Sequence, residues 1–206
     1  MIMFRLIMLG ILNNVWKILI ISVLIFILFR IVYFKVTKKK LVFYKEVLLI
    51  LFLIYLICLF YVVTFEDVEW STSNYIPFKE ITRYRFGSKL FIKNVIGNII
   101  MFAPFGFFIR YFFNIKDKKI MFLIITLTST GIELLQSDIG RVFDIDDIIL
   151  NVIGGMIGFL ICDLFKDIKV NLPSLLKKNI IYNIIVIVLL VLFIFYLTNV
   201  IEVGIL

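Results

Sequence analysis

Histidine is absent from these 206 residues. That excludes Ser-His-Asp and Cys-His catalysis, histidine-bound zinc and histidine proton relays. Cysteine is nearly absent. Cys58 and Cys162 each fall inside an apolar run rather than an aqueous loop. Isolated buried thiols behave as small hydrophobes, so neither a disulfide nor CxxC redox chemistry is expected. Charged residues make up only 17% of the chain against 63% hydrophobic ones. A soluble domain of that composition would expose far too much apolar surface. No Walker loop, GxGxxG, HExxH, GxSxG or EF-hand pattern occurs, and no internal repeat is visible. No cofactor and no metal site are expected.

What is present is long apolar runs, at a mean hydropathy of +1.14. Several reach the ~20 residues that cross a hydrocarbon core as a helix. The expected fold is therefore all-α: a polytopic membrane helix bundle of about six spans, with a core of four or five. Residues 1–14 are broken by Arg5, Gly10 and Asn13-Asn14, which reads as a short lead-in or interfacial turn. No small-residue cleavage site follows, so the first run reads as a retained helix rather than a signal peptide. The spans are expected at about 15–34, 46–65, 94–113, 120–137, 145–165 and 180–200. A polar stretch of about 28 residues, 66–93, separates the second and third, a length typical of functional or surface-lying segments. The organisation reads as 1–44 (lead-in and first span), 45–165 (membrane core) and 166–206 (basic loop and last span).

The net charge of +8 is explained by topology rather than by nucleic acid. Lys35, Lys38, Lys39, Lys40 and Lys45 lie in the first loop; Arg110, Lys116, Lys118 and Lys119 follow the third span. Lys166, Lys169, Lys177 and Lys178 follow the fifth. The positive-inside rule then places these loops in the cytoplasm and both termini, the 66–93 segment and the 138–144 hinge outside.

Against this background the stretch 130–158 is unusual. Ionisable groups at membrane depth cost roughly 2.5–3.5 kcal/mol each on insertion scales and mark functional sites by default. At 100° per residue, Thr126, Ser129, Thr130, Glu133, Gln136 and Ser137 share one face of the fourth span. Asp144, Asp147, Asn151, Gly154, Gly155 and Gly158 share a face of the fifth. The hinge between them is short enough to force antiparallel neighbours whose polar faces meet. Asn98, on a stripe with Asn94 and Gly97, approaches from the third span, where Pro104 frees a backbone carbonyl and Gly106 follows. The candidate ligand-binding residues are Asn98, Glu133, Gln136, Arg141, Asp144, Asp147 and Asn151.

Structural readings stand beside these. Gly154 and Gly158 have the spacing of a close helix contact, and the Ser and Thr hydroxyls suit their own i−4 carbonyls. Asp144 suits a helix cap. Asp146 points away from Asp147 and is expected in solvent. Glu133 requires a cation, a hydrogen-bond network or a proton. A Glu133–Arg141 or Asp–Arg pair would supply the first; a network that also holds a ligand is the alternative. The side chains suit a hydroxyl-rich or phosphate-bearing headgroup, or a hard cation held by oxygens.

The residues Asn98-IIM-Phe102-A-Pro104-F-Gly106, Glu133-LL-Gln136 and Arg141-VF-Asp144-I-Asp146-Asp147-III-Asn151-VI-Gly154-Gly155-MI-Gly158 resemble the VanZ-like family, as does Asn74-YI-Pro77-Phe78 before them. The resemblance covers about residues 45–165. It implies a small multi-span protein of the bacterial cell membrane, in a family whose namesake is associated with resistance to teicoplanin and related lipoglycopeptides without remodelling of peptidoglycan precursors. The expected partners are the bilayer and a lipid headgroup, a lipid-linked cell-wall precursor or a lipoglycopeptide. An intramembrane enzyme acting on a lipid or polyprenyl-phosphate headgroup is the alternative, with Glu133 or Asp147 as general base and Arg141 holding phosphate. A membrane scaffold or assembly subunit is the third reading.

Overall fold

The structure, a computed structural model, describes the backbone of residues 2–65 and 73–205 and the side chains of 15–64, 73–193 and 195. Glu66, Asp67 and Glu69 lie outside the described residues. The fold is all-helical: α1 (Ile2–Thr37), α2 (Phe43–Phe65), the short α3 (Lys79–Arg83) and α4 (Lys89–Phe91), α5 (Gly97–Phe113), α6 (Lys118–Asp138), α7 (Ile145–Asn171) and α8 (Asn179–Ile205). A π-helical turn, Ile92–Ile96, joins α4 to α5 into one run. Among the described residues five helices are long and apolar enough to cross a membrane: Val15–Thr37, Phe43–Thr64, Lys89–Phe113, Lys118–Asp138 and Ile145–Asn171. The sixth expected span falls on α8, whose last side chains lie outside the described residues.

Two boundaries differ from the sequence reading for identifiable reasons. The expected lead-in is not a turn, because α1 runs unbroken from Ile2 through Asn13-Asn14. An Asn or Gly costs at most about 1 kcal/mol of helix propensity, and extending a helix already nucleated by an apolar run is far easier than starting one. The fifth span continues past Phe165 to Asn171. No helix breaker occurs before Pro173, and lysine stems at a span end lie along apolar surface while their ammonium groups reach water.

The chain forms two compact units. One, Asn14–Ile54 with the segment from Lys169, is held by a bidentate ion pair between Arg30 and Glu46 at 2.6 and 2.7 Å. The Tyr44 amide donates to Asn183 Oδ1 at 3.0 Å, and the Lys169 ammonium lies 4.6 Å from the Tyr182 ring. The other is built on Tyr55–Ile168 and carries the candidate residues. Its core joins Leu59 and Val63 of α2, Phe102 and Phe105 of α5, Met121 and Ile125 of α6, and Phe159 of α7.

Lipid tails are as apolar as these side chains, so close packing rather than water exclusion must hold the spans together. The glycines supply it. A Cβ on Gly158 would lie 1.8 Å from the Ala103 carbonyl oxygen, one on Gly154 2.2 Å from that of Ile99, and one on Gly106 1.8 Å from that of Gly155. Gly155 faces Ile125 of α6. Thus α7 lies backbone to backbone against α5, which brings Asp147 and Asn98 within reach of each other. Tyr55 Oη donates to the Met101 carbonyl at 2.9 Å, next to the Ile100 carbonyl that Pro104 deprives of its amide donor.

Candidate functional site

The site begins at the end of α2. The last four carbonyls of a helix have no amide partner within it. One of these, on Val63, receives Gln136 Nε2 at 3.2 Å and Arg141 Nη1 at 2.6 Å. A cation is favoured at that helix end by the backbone dipole. Arg141 therefore caps α2, and among the described residues no ion pair joins it to Glu133. The expected Glu133–Arg141 pair is not formed, because a main-chain acceptor competes for the guanidinium.

Glu133 is 2% exposed and is met instead by the main chain of the hinge: the Asp144 amide donates to its Oε2 at 3.0 Å. Asp144 in turn opens α7. Its Oδ1 accepts from the Asp146 amide at 2.9 Å, an N-terminal cap, and from Asn74 Nδ2 at 2.8 Å. Burial pushes the Asp144 carboxyl above the usual range, against these two hydrogen bonds, which lower it.

One turn deeper, Asn98 Nδ2 donates to Asp147 Oδ1, and Asn151 Nδ2 donates to Ser129 Oγ at 3.0 Å. These pairs bring α5, α6 and α7 together at polar positions. The Thr126 and Thr128 hydroxyls bond their own i−4 carbonyls, those of Phe122 and Ile124, at 2.8 Å each. Ser137 is exposed.

Asn98, Glu133, Gln136, Arg141, Asp147 and Asn151 line one pocket of about 60 Å³, closed on its apolar side by Val62, Val63, Met101 and Ile132. A water needs roughly 10–15 Å³ on this measure, so the space suits a few waters or one small polar group. Within it Asn151 Oδ1 is buried and has no hydrogen-bond partner. Leaving such an acceptor unmet costs about 1–3 kcal/mol. Alongside lies an apolar cavity of about 220 Å³ between α2 and α6, lined by Leu56, Phe60 and Leu135 among others, and sharing Val63, Ile132 and Gln136 with the polar pocket. Among the described residues no group of His, Cys, Asp and Glu side chains is arranged to hold a metal ion.

Asp146 is where the sequence reading fails. It is 1% exposed rather than solvated. Its Oδ1 accepts from the Phe78 amide, and its Oδ2 accepts from the amides of Glu80 at 2.7 Å and Ile81 at 3.2 Å. These are free donors around the start of α3, which a carboxylate satisfies well. Phe78 itself adopts φ +65°, an unfavourable backbone for a bulky residue that the three-amide clasp holds in place. Asn74 completes the attachment: its amide donates to the Phe143 carbonyl at 2.8 Å, and its carbonyl accepts from the Ile145 amide at 3.0 Å. Tyr75 stacks on Phe143. The segment 74–81 is thus fastened to the start of α7. Neither Asn74 nor Asp146 appears among the candidates read from the sequence, although both stand inside the quoted motifs.

A helical chain with five membrane-length helices among its described residues, and a pocket of amides and ionisable groups among those spans, is a multi-pass membrane protein. A model of the VanZ/LLP1 family matches residues 47–166, more than half of the chain, and the chain belongs to that family. No curated protein and no solved structure matches it.

Proposed function

We propose that this protein binds the polar head of a membrane amphiphile (a lipid, a lipid-linked cell-wall precursor or a lipoglycopeptide) in the pocket of Asn98, Glu133, Gln136, Arg141, Asp147 and Asn151, and that it thereby lowers susceptibility to teicoplanin-type antibiotics. The observation that carries the reading is the shared wall of two cavities of opposite character. Gln136, Val63 and Ile132 border both a polar pocket of about 60 Å³ and an apolar one of about 220 Å³, an arrangement suited to a molecule with a head and a tail. The lysine distribution supports a bacterial cell membrane orientation with the 138–144 hinge and both termini outside, where the pocket would meet envelope components.

Expression of wild type and Glu133→Ala at matched levels in a susceptible host tests the resistance role. Wild type is expected to raise the inhibitory concentration of teicoplanin and the variant to leave it at the host's value. No change with either protein would remove resistance from the proposal.

A further inference from the structure

We infer that the floor of this pocket takes a primary ammonium group, so that the bound headgroup is zwitterionic: an ammonium among Glu133, Asp147 and Asn151, and a phosphate at Arg141. The inference rests on the amphiphile-binding reading and names the chemical class of its ligand.

Three acceptor side chains of the pocket receive few of the hydrogen bonds they could take. Glu133 receives one hydrogen bond, from the Asp144 amide, and Asp147 receives one, from Asn98. Asn151, 2% exposed, spends its NH₂ on Ser129, and its Oδ1 receives nothing. Native structures rarely leave a buried acceptor unmet, and among the described residues no donor reaches it. A primary ammonium carries three N–H donors, one for each of these three side chains. Charge agrees with donor count. Two carboxylates face one guanidinium, and Arg141 is already held at the Val63 carbonyl. A further cation balances the excess acid, where burying it unbalanced would be costly.

Size narrows the choice. About 60 Å³ admits a compact ammonium, whereas a trimethylammonium is bulkier and has no N–H to give. Arg141, also in the lining, has guanidinium donors beyond the one used on Val63 and matches a phosphate. The apolar cavity behind the Gln136 wall then accommodates part of the chain attached to that phosphate.

The test uses the full-length protein in detergent and native mass spectrometry. The probes are phosphatidylethanolamine, its mono- and dimethyl derivatives, phosphatidylcholine and phosphatidylglycerol, all with the same acyl chains. Retention should fall stepwise with each N–H removed, by about tenfold overall between the primary and trimethylated headgroups, a modest charged hydrogen-bonding difference. This series needs no variant. Asn151→Leu and Asp147→Asn, checked for unchanged melting temperature, should abolish the preference. Free phosphoethanolamine should fail to displace the lipid at equal concentration; if it displaces the lipid, a small soluble zwitterion is the ligand and the lipid source is overturned. Equal retention of all five lipids, still lost in Arg141→Ala, would overturn the ammonium assignment and leave amphiphile binding standing. Retention of every lipid unchanged by Arg141→Ala and Asn151→Leu would overturn both.

Discussion

The two ends of the α5–α7 pair carry similar chemistry and are finished very differently. At the loop end, Arg110 is 6% exposed and donates to Asp163 Oδ1 at 2.6 Å and to Asn114 Oδ1 at 3.0 Å. Lys166 donates to that same Asn114 oxygen at 3.1 Å and to the Arg110 carbonyl at 3.2 Å. Twelve residues up α5 and sixteen up α7, about 18–24 Å away at 1.5 Å per residue, Asn98 and Asp147 open the hinge-end pocket. There the charges do not close on one another. A guanidinium is diverted to a helix end, two carboxylates have one donor each, and an amide oxygen has none. Saturated polar clusters fix helices in register. Unsaturated ones of the same composition are where a partner from outside fits.

The contrast can be broken at its common support. Gly158→Leu puts a side chain where the Ala103 carbonyl oxygen is 1.8 Å from the new Cβ. Overpacking of this kind costs about 1–3 kcal/mol when a neighbour can yield; here the obstacle is backbone, so loss of monodisperse protein in size-exclusion chromatography is expected. Asp163→Ala comes next. It leaves Arg110 without its carboxylate; because the Asp163 side chain is 31% exposed, the cost is below the ~3–5 kcal/mol of breaking a fully buried pair, read as a lower melting temperature. Arg110→Leu added to it should recover part of the loss, and pocket ligands should raise the melting temperature of both variants as they do that of wild type, since neither residue lines the pocket.

At the hinge end the expected effects on global unfolding are smaller and of another kind. Asp146→Ala frees the amides of Phe78, Glu80 and Ile81. Each hydrogen bond to a charged group contributes about 1.5–3 kcal/mol, yet the loss is local. Faster hydrogen exchange and proteolysis within 74–83 should appear before any global change. The double variant Asn151→Leu with Ser129→Ala removes a buried polar pair together with its orphan oxygen, which is near neutral when the shape is kept. An unfolding free energy within about 1 kcal/mol of wild type, combined with lost function, would separate site from scaffold. An equally large loss as in Asp163→Ala would erase the contrast.

The smallest effect concerns pH. Burial raises the Asp144 carboxyl in the folded protein, so its protonated form is favoured there. Its contribution to stability is complete below about pH 3.9, the unfolded value, and is lost as pH rises through the raised folded value. Asp144→Asn retains an oxygen for the Asp146 amide and does not titrate. Wild type should lose melting temperature relative to this variant as pH rises from about 4 to 7.

The spans were legible because apolar runs bounded by lysines and acids leave little choice of fold. The approach of Asn98 to Asp147 was legible as well, since helical phase and a short hinge place polar faces opposite one another. What escaped was contact with main chain. Arg141 looked like a partner for Glu133 because side-chain charges are visible in a sequence, whereas the unpaired Val63 carbonyl at the end of α2 is not. Asp146 looked solvated because its position on the helical wheel says which face it occupies, not that residues 78–81 return across more than 60 positions to cover that face. The family motifs contained both Asn74 and Asp146, but order and spacing alone do not reveal that one clasps the other's segment.

The π-helical turn at Ile92–Ile96 has a consequence for how the chain can vary in length. The Gly97 amide reaches back five residues to the Ile92 carbonyl, so this turn holds one residue more than an α-helix needs. Removing a single residue there would let the turn relax to ordinary helix while Asn98 and everything after it keep their orientation. The same deletion elsewhere in α5 would swing the following side chains by about 100°. Of all positions in this span, these five form the one place where the reading frame of the helix surface has slack.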